Sequence, residues 1–82
     1  MFSEYLQAAM HHAKYEIIED DGSFYGHIAE FPGAWANEKT LEACREDLES
    51  VIEDYILIAI SCHDPLPEID GHSLEIRMAE HA

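Results

Sequence analysis

Basic residues are scarce in this chain: Lys and Arg number 4 against 18 Asp and Glu, a formal net charge of −14. A field of that sign repels nucleic-acid backbone and anionic lipid, and it speeds encounter with a basic protein. Direct binding to DNA or RNA is therefore not expected. Cysteine is sparse too. Cys44 and Cys62 both fall within one predicted helix, ~27 Å apart at ~1.5 Å rise per residue, beyond the reach of an intrachain disulfide. A reducing cytoplasm is the simple reading. No apolar run reaches the ~18 residues of a membrane span, and MFSEYLQAAMHHAK lacks the basic-then-apolar order of a signal peptide. Internal repeats, low-complexity tracts and linkers are absent as well. The 82 residues are expected to form one domain, 1–82, burying ~60–65% of the surface that the unfolded chain exposes, too little for a deep private active-site cavity.

Apolar residues nevertheless make up 48% of the chain, which argues for folding rather than acidic disorder. Phe2, Tyr5, Leu6, Ala9, Met10 and Ala13 recur at helical spacing, with Ser3 available as a cap, and predict a short amphipathic helix over residues 2–13. KYEIIED is strand-prone, DDGS supplies turn chemistry, and FYGHIAEF resumes a strand with Phe24, Gly26 and Ile28 on one face, so a β-hairpin is expected. Pro32-Gly33 ends the second strand, AWANE reads as a short third, and Asn37 to Lys39 as the next turn.

Thr40 is a candidate N-cap for a helix of about five turns. Leu41, Cys44, Leu48, Val51, Ile52, Tyr55 and Ala59 form its apolar stripe, with Glu42, Arg45, Glu46, Glu49 and Glu53 largely off it. The later part, YILIAISC, is apolar nearly all round, which predicts packing against a second subunit. Tyr55, Ile56, Ile58 and Ile60 are the candidate interface of a homodimer or dimer of dimers. After the Pro-punctuated PLPEIDGH, alternation of Leu74, Ile76 and Met78 predicts a last strand. The fold class is then α+β in the order α-β-β-β-α-β, a three-stranded antiparallel meander whose crossover helix leads to a parallel fourth strand.

The hairpin YEIIEDDGSFYGHIAEFPG, the following AWANEKTLEACREDLESVIEDYI and the downstream DPLPEIDG together resemble the short stand-alone members of the HicB-like antitoxin family. The elements that carry the likeness are Tyr25 with Gly26, the Pro32-Gly33 turn, Thr40-Leu41-Glu42-Ala43 and Pro67-Glu68-Ile69-Asp70-Gly71. The resemblance implies a partial RNase H-like fold and a role in a toxin-antitoxin system, neutralising HicA, a small basic mRNA-cleaving toxin of double-stranded-RNA-binding fold. Residues 1–13 would be an appended N-terminal helix that either caps the sheet or exchanges contacts across a dimer. Full-length HicB proteins usually add a C-terminal DNA-binding module; none is expected here, since nothing basic follows the last strand.

Candidate partner-binding residues are Glu42, Glu46, Glu49 and Glu53, which either mimic the RNA backbone for a basic toxin or form an ordinary solvated helix face. Trp35, Tyr25 and Phe31 either join them as interface anchors or cover the core, and His27, on the same side as Tyr25, either donates a hydrogen bond to the partner or is an ordinary surface histidine. Glu16, Glu19, Asp20 and Glu30 invite a two-metal nuclease reading, but strand alternation sends Glu16 and Glu19 to opposite faces. The six histidines lack ligand spacing, and both cysteines read as buried structural thiols. No catalysis, metal or cofactor is expected. The alternative to an antitoxin is an orphan oligomeric interaction domain without a toxin partner.

Overall fold

The computed structural model describes residues 2–71 as α1 (Phe2–His11), β1 (Lys14–Ile17), β2 (Phe24–His27), β3 (Trp35–Glu38) and α2 (Leu41–Cys62). It is an α+β arrangement in which β1, β2 and β3 form an antiparallel sheet in that order. The expected fourth strand around Leu74, Ile76 and Met78 lies outside the described residues.

Pairing places Tyr15 opposite Gly26 and Gly26 opposite Ala36, so one row across the sheet carries almost no side-chain bulk at its centre. That row faces α2. Cys44 sits over it, its Sγ 3.5 Å from the Phe24 carbonyl and 3.6 Å from that of Ala36. A Cβ at position 26 would stand 2.9 Å from the Tyr15 ring and 3.1 Å from Cys44 Sγ, so glycine is what lets helix and sheet approach this closely.

The hairpin between β1 and β2 closes where the sequence places it. Gly22 adopts φ 71°, its N–H donates to Ile18 O at 2.8 Å, and Asp21 Oδ1 accepts from Ser23 N–H at 3.0 Å. β2 is shorter than FYGHIAEF suggested. After His27 the chain tightens, with Phe31 N–H donating to Ile28 O at 3.0 Å and Ala34 N–H to Phe31 O at 3.1 Å, which turns Ile28, Phe31 and Ala34 into the core. Asn37, expected in the following turn, belongs to β3.

α1 begins at Phe2, so Ser3 lies in its first turn rather than capping it. Tyr5, Leu6, Ala9 and Met10 bury one face of it. The Phe31 ring stands edge-on to Tyr5, 6.4 Å between centroids, and to Tyr55, 5.1 Å, a favoured aromatic geometry. The Tyr5 hydroxyl donates to the Pro67 carbonyl, tying α1 to the segment after α2.

α2 starts as predicted: the Thr40 hydroxyl accepts from Ala43 N–H at 3.0 Å. It ends with His63 in the left-handed region (φ 60°), where His63 N–H donates to Ile60 O and Asp64 N–H to Ala59 O, the paired carbonyl closure usually served by glycine. Its buried stripe is Cys44, Leu48, Ile52, Ile56 and Ala59. Three expectations for this helix are corrected. Leu41, assigned to the stripe, is 46% exposed on the opening turn, while Ile56, assigned to a subunit interface, is 0% exposed because it continues the i+4 row of Leu48 and Ile52 into the chain's own core. Cys62 is exposed at the helix end, contrary to the buried thiol expected. Among the described residues no helix is long and apolar enough to cross a membrane.

Two stability changes follow. Ile56→Ala should lower the unfolding free energy by about 2–5 kcal/mol in urea titrations, by the same amount at every protein concentration, as a core residue requires. His63→Gly should raise it by up to about 1 kcal/mol, because glycine enters the left-handed region without the Cβ penalty.

Candidate functional site

The candidate partner-binding residues divide between two surfaces. Glu42, Glu46 and Glu53 are exposed and Glu49 half-buried along one flank of α2, where Arg45 and Glu49 are close enough to act on the Tyr15 hydroxyl of β1. Glu42, Ala43, Arg45, Glu46 and Glu49 line an open depression. Arg45 is the only Lys or Arg on this helix, so the surface is a ridge of carboxylates with one interruption. Helix periodicity alone produces it, since the same stripe that buries Cys44, Leu48 and Ile52 turns these positions outward.

Tyr25, His27 and Trp35 occupy the other surface. Gly26 and Ala36 face α2, so alternation turns their neighbours to the opposite side of the sheet. The Tyr25 ring lies 5.4 Å from His27 and 6.0 Å from Trp35, the latter pair stacked at 29° between planes. Trp35 is 55% exposed. Glu16, in register with Tyr25, brings its carboxylate to 3.5 Å from His27 Nε2. Asn37 closes the far end by donating to Ser23 Oγ at 2.9 Å and to the Phe24 carbonyl at 2.8 Å. Glu16 and Asn37 were not among the sequence candidates for partner binding, although the same period-two alternation carried into β1 and β3 finds both.

The candidate oligomer residues also separate. Tyr55 is half-buried against Phe31 and Ile60 packs partly on the core, whereas Ile58 is 62% exposed. Leu57, not singled out from the YILIAISC run, is 51% exposed beside it. Tyr55, Ile58, Ala59, Asp64 and Pro65 line a shallow pocket at this end of α2.

The carboxylates weighed as a nuclease cluster do not share a site. Glu16 is beside His27, Glu19 and Asp20 are exposed at the hairpin turn, and Glu30 is bound to His12. Among the described residues no group of three or more His, Cys, Asp or Glu could hold a metal ion. His12 bridges two acids instead: its Nδ1 is 2.7 Å from Glu30 Oε2 and its Nε2 2.8 Å from Asp70 Oδ1. With a carboxylate on each nitrogen, both donate, which requires the protonated ring. The hydrogen bonds to Asp70 and then Glu30 raise the His12 pKa above its ordinary 6.5. This tie joins the end of α1, the 28–34 turn and the segment after α2. Elsewhere, burial is the main cause that pushes the Tyr5 hydroxyl up to about 12 and raises the Cys44 thiol and the Tyr15 hydroxyl. Hydrogen bonds from Ser23 hold Asp21 below the usual carboxylate range.

Comparison with known proteins adds a family and a structure. Residues 4–67 match the family described as UPF0150-like. The fold superposes on the crystal structure of TTHA0281 from Thermus thermophilus with a TM-score of 0.83 at 33% sequence identity, covering 90% of this chain and 91% of that one. No curated protein matches the chain.

The His12 bridge sets a pH dependence with a definite sign. Because its folded-state pKa is raised, its stabilisation is complete below about pH 6.5 and is lost as pH rises through the higher folded value. In urea titrations the gap between wild type and His12→Gln should be widest near pH ~6 and shrink steadily toward pH ~9. A gap constant across that range would show that the ring acts by packing and not by charge.

Proposed function

We propose that this chain, which belongs to the UPF0150-like family, is a HicB-like antitoxin: a protein that binds and neutralises a small basic HicA-type mRNA-cleaving toxin through an acidic surface. The observation that carries the reading is the carboxylate ridge of α2. Glu42, Glu46, Glu49 and Glu53 share one side of the helix over a length of ~16 Å at ~1.5 Å per residue. A toxin that grips the anionic backbone of mRNA presents cations at comparable spacing, and a rigid helix offers them carboxylates without the entropy of ordering a loop. The protein acts in this reading by occupying the toxin, in the cytoplasm, without chemistry of its own and without contacting nucleic acid.

Two finer features belong to the same proposal. The exposed Leu57 and Ile58 support a homodimer, or a dimer of dimers, closed through the end of α2. A partial RNase H-like fold, with a parallel fourth strand around Leu74, Ile76 and Met78, is supported by the Asp70–His12 contact. It brings the chain close to the start of β1, the strand at one edge of the three-stranded sheet. The exposed apolar helix end equally favours a second reading, an orphan oligomeric interaction domain that carries no toxin.

The test is RNA cleavage by a HicA-type protein titrated with this chain at low and high salt. Suppression at near-stoichiometric ratio, weakened by salt, is expected. Replacing Glu42, Glu46, Glu49 and Glu53 by Gln together should weaken binding by about tenfold or more, given the modest worth of each exposed charge pair. Cleavage that continues under a large molar excess of the chain would remove the antitoxin reading and leave the orphan domain.

A further inference from the structure

The aromatic surface is on the face of the sheet turned away from α2, so one small partner seated on the helix leaves it uncovered. Its rings have no part in the core: Tyr15, Gly26 and Ala36 serve the helix-facing side, while Tyr25, His27 and Trp35 turn outward. We infer that this face is a guanidinium-binding shelf, which takes an arginine side chain of a basic protein partner onto the Tyr25 and Trp35 rings with the Glu16 carboxylate as counter-charge.

Geometry, charge and chemistry converge on that occupant. Tyr25 and Trp35 are stacked at 29° with centroids 6.0 Å apart, and the pair is exposed chiefly at Trp35. Glu16 is the direct cross-strand neighbour of Tyr25, and such neighbours stand side by side on the sheet. A flat cation lying on the Tyr25 ring thus has a carboxylate within reach of its edge. Lys14 lies in the cross-strand row of His27 and Trp35, which leaves the Glu16–Tyr25 row as the place for the cation's donating edge. Aromatic faces attract cations, and guanidinium stacks better than ammonium because it is planar, weakly hydrated and able to donate along its edge to a carboxylate. Nucleobases also stack on exposed rings, but they arrive on a polyanion that a chain of net charge −14 repels. The inference shares with the antitoxin reading only the premise of a basic partner.

Trp35 is the single tryptophan of the chain, so its fluorescence reports the shelf directly. The full chain is titrated with a short arginine–glycine peptide, its lysine counterpart and a single-stranded oligoribonucleotide. A saturable change in emission is expected with the arginine peptide, about two- to fivefold tighter than with the lysine peptide. Glu16→Gln and Tyr25→Ala should each weaken it by about two- to fivefold, with unchanged circular dichroism, while Asp54→Asn, exposed on α2 outside both surfaces, leaves the emission change in place. No saturable change, a change indifferent to both shelf substitutions, or a stronger response to the oligoribonucleotide would each overturn the inference. Peptide binding alongside undiminished toxin cleavage leaves the shelf and removes the antitoxin reading; suppressed cleavage with Trp35 silent to the arginine peptide does the reverse.

Discussion

The fold depends on how closely α2 approaches the middle of the sheet. Gly26 and Ala36 present so little bulk there that the Cys44 sulfur comes to 3.5 and 3.6 Å from two strand carbonyls, with the Tyr15 ring filling the space that a larger residue at 26 would claim. With the strands thin at that row, the apolar volume comes from the helix side, as the unbroken series Cys44, Leu48, Ile52, Ile56 and Ala59 shows. The division of labour between the two faces of the sheet follows from the same contact. Because the helix-facing row is small and closely packed, the large aromatics of β2 and β3 are left for the other side.

α2 is also longer than the sheet beneath it. Its 22 residues span ~33 Å, whereas strands of 4 residues extend over only ~13 Å. Cover for the remaining length comes from α1, from the 28–34 turn and from the segment after the helix, pieces distant in sequence with little hydrogen-bonded structure in common. Tyr5 to Pro67 and His12 to Glu30 and Asp70 fasten them together. Side chains thus do at this end of the molecule what backbone ladders do at the other.

The regular elements were legible because their periods are strong. The i, i+3, i+4 recurrence located both helices, Thr40 marked the start of α2, and the Asp-Gly turn fixed the hairpin and with it the register of Tyr25 and His27. Places where tertiary contacts override local pattern were less legible. Ile56 lies in a run apolar on every side, so periodicity could not decide between core and partner; packing beneath Leu48 and Ile52 decides it. FYGHIAEF alternates as a strand throughout, yet Phe31 is better buried by a turn that places it between two tyrosine rings. Nor could the sequence show that its acidic and aromatic candidates occupy separate surfaces, because that relation exists only once the helix is laid on one particular face of the sheet. The His12 bridge joins residues 18 and 58 positions apart, and no local pattern encodes such a triad.

The separation of the two sheet faces has an evolutionary corollary. Substitutions among Glu16, Tyr25, His27 and Trp35 change no residue that touches the core, so this surface can drift, sharpen or exchange its binding preferences while the fold stays under selection elsewhere. Descendants of one scaffold could in this way diverge in what they recognise long before their architectures differ.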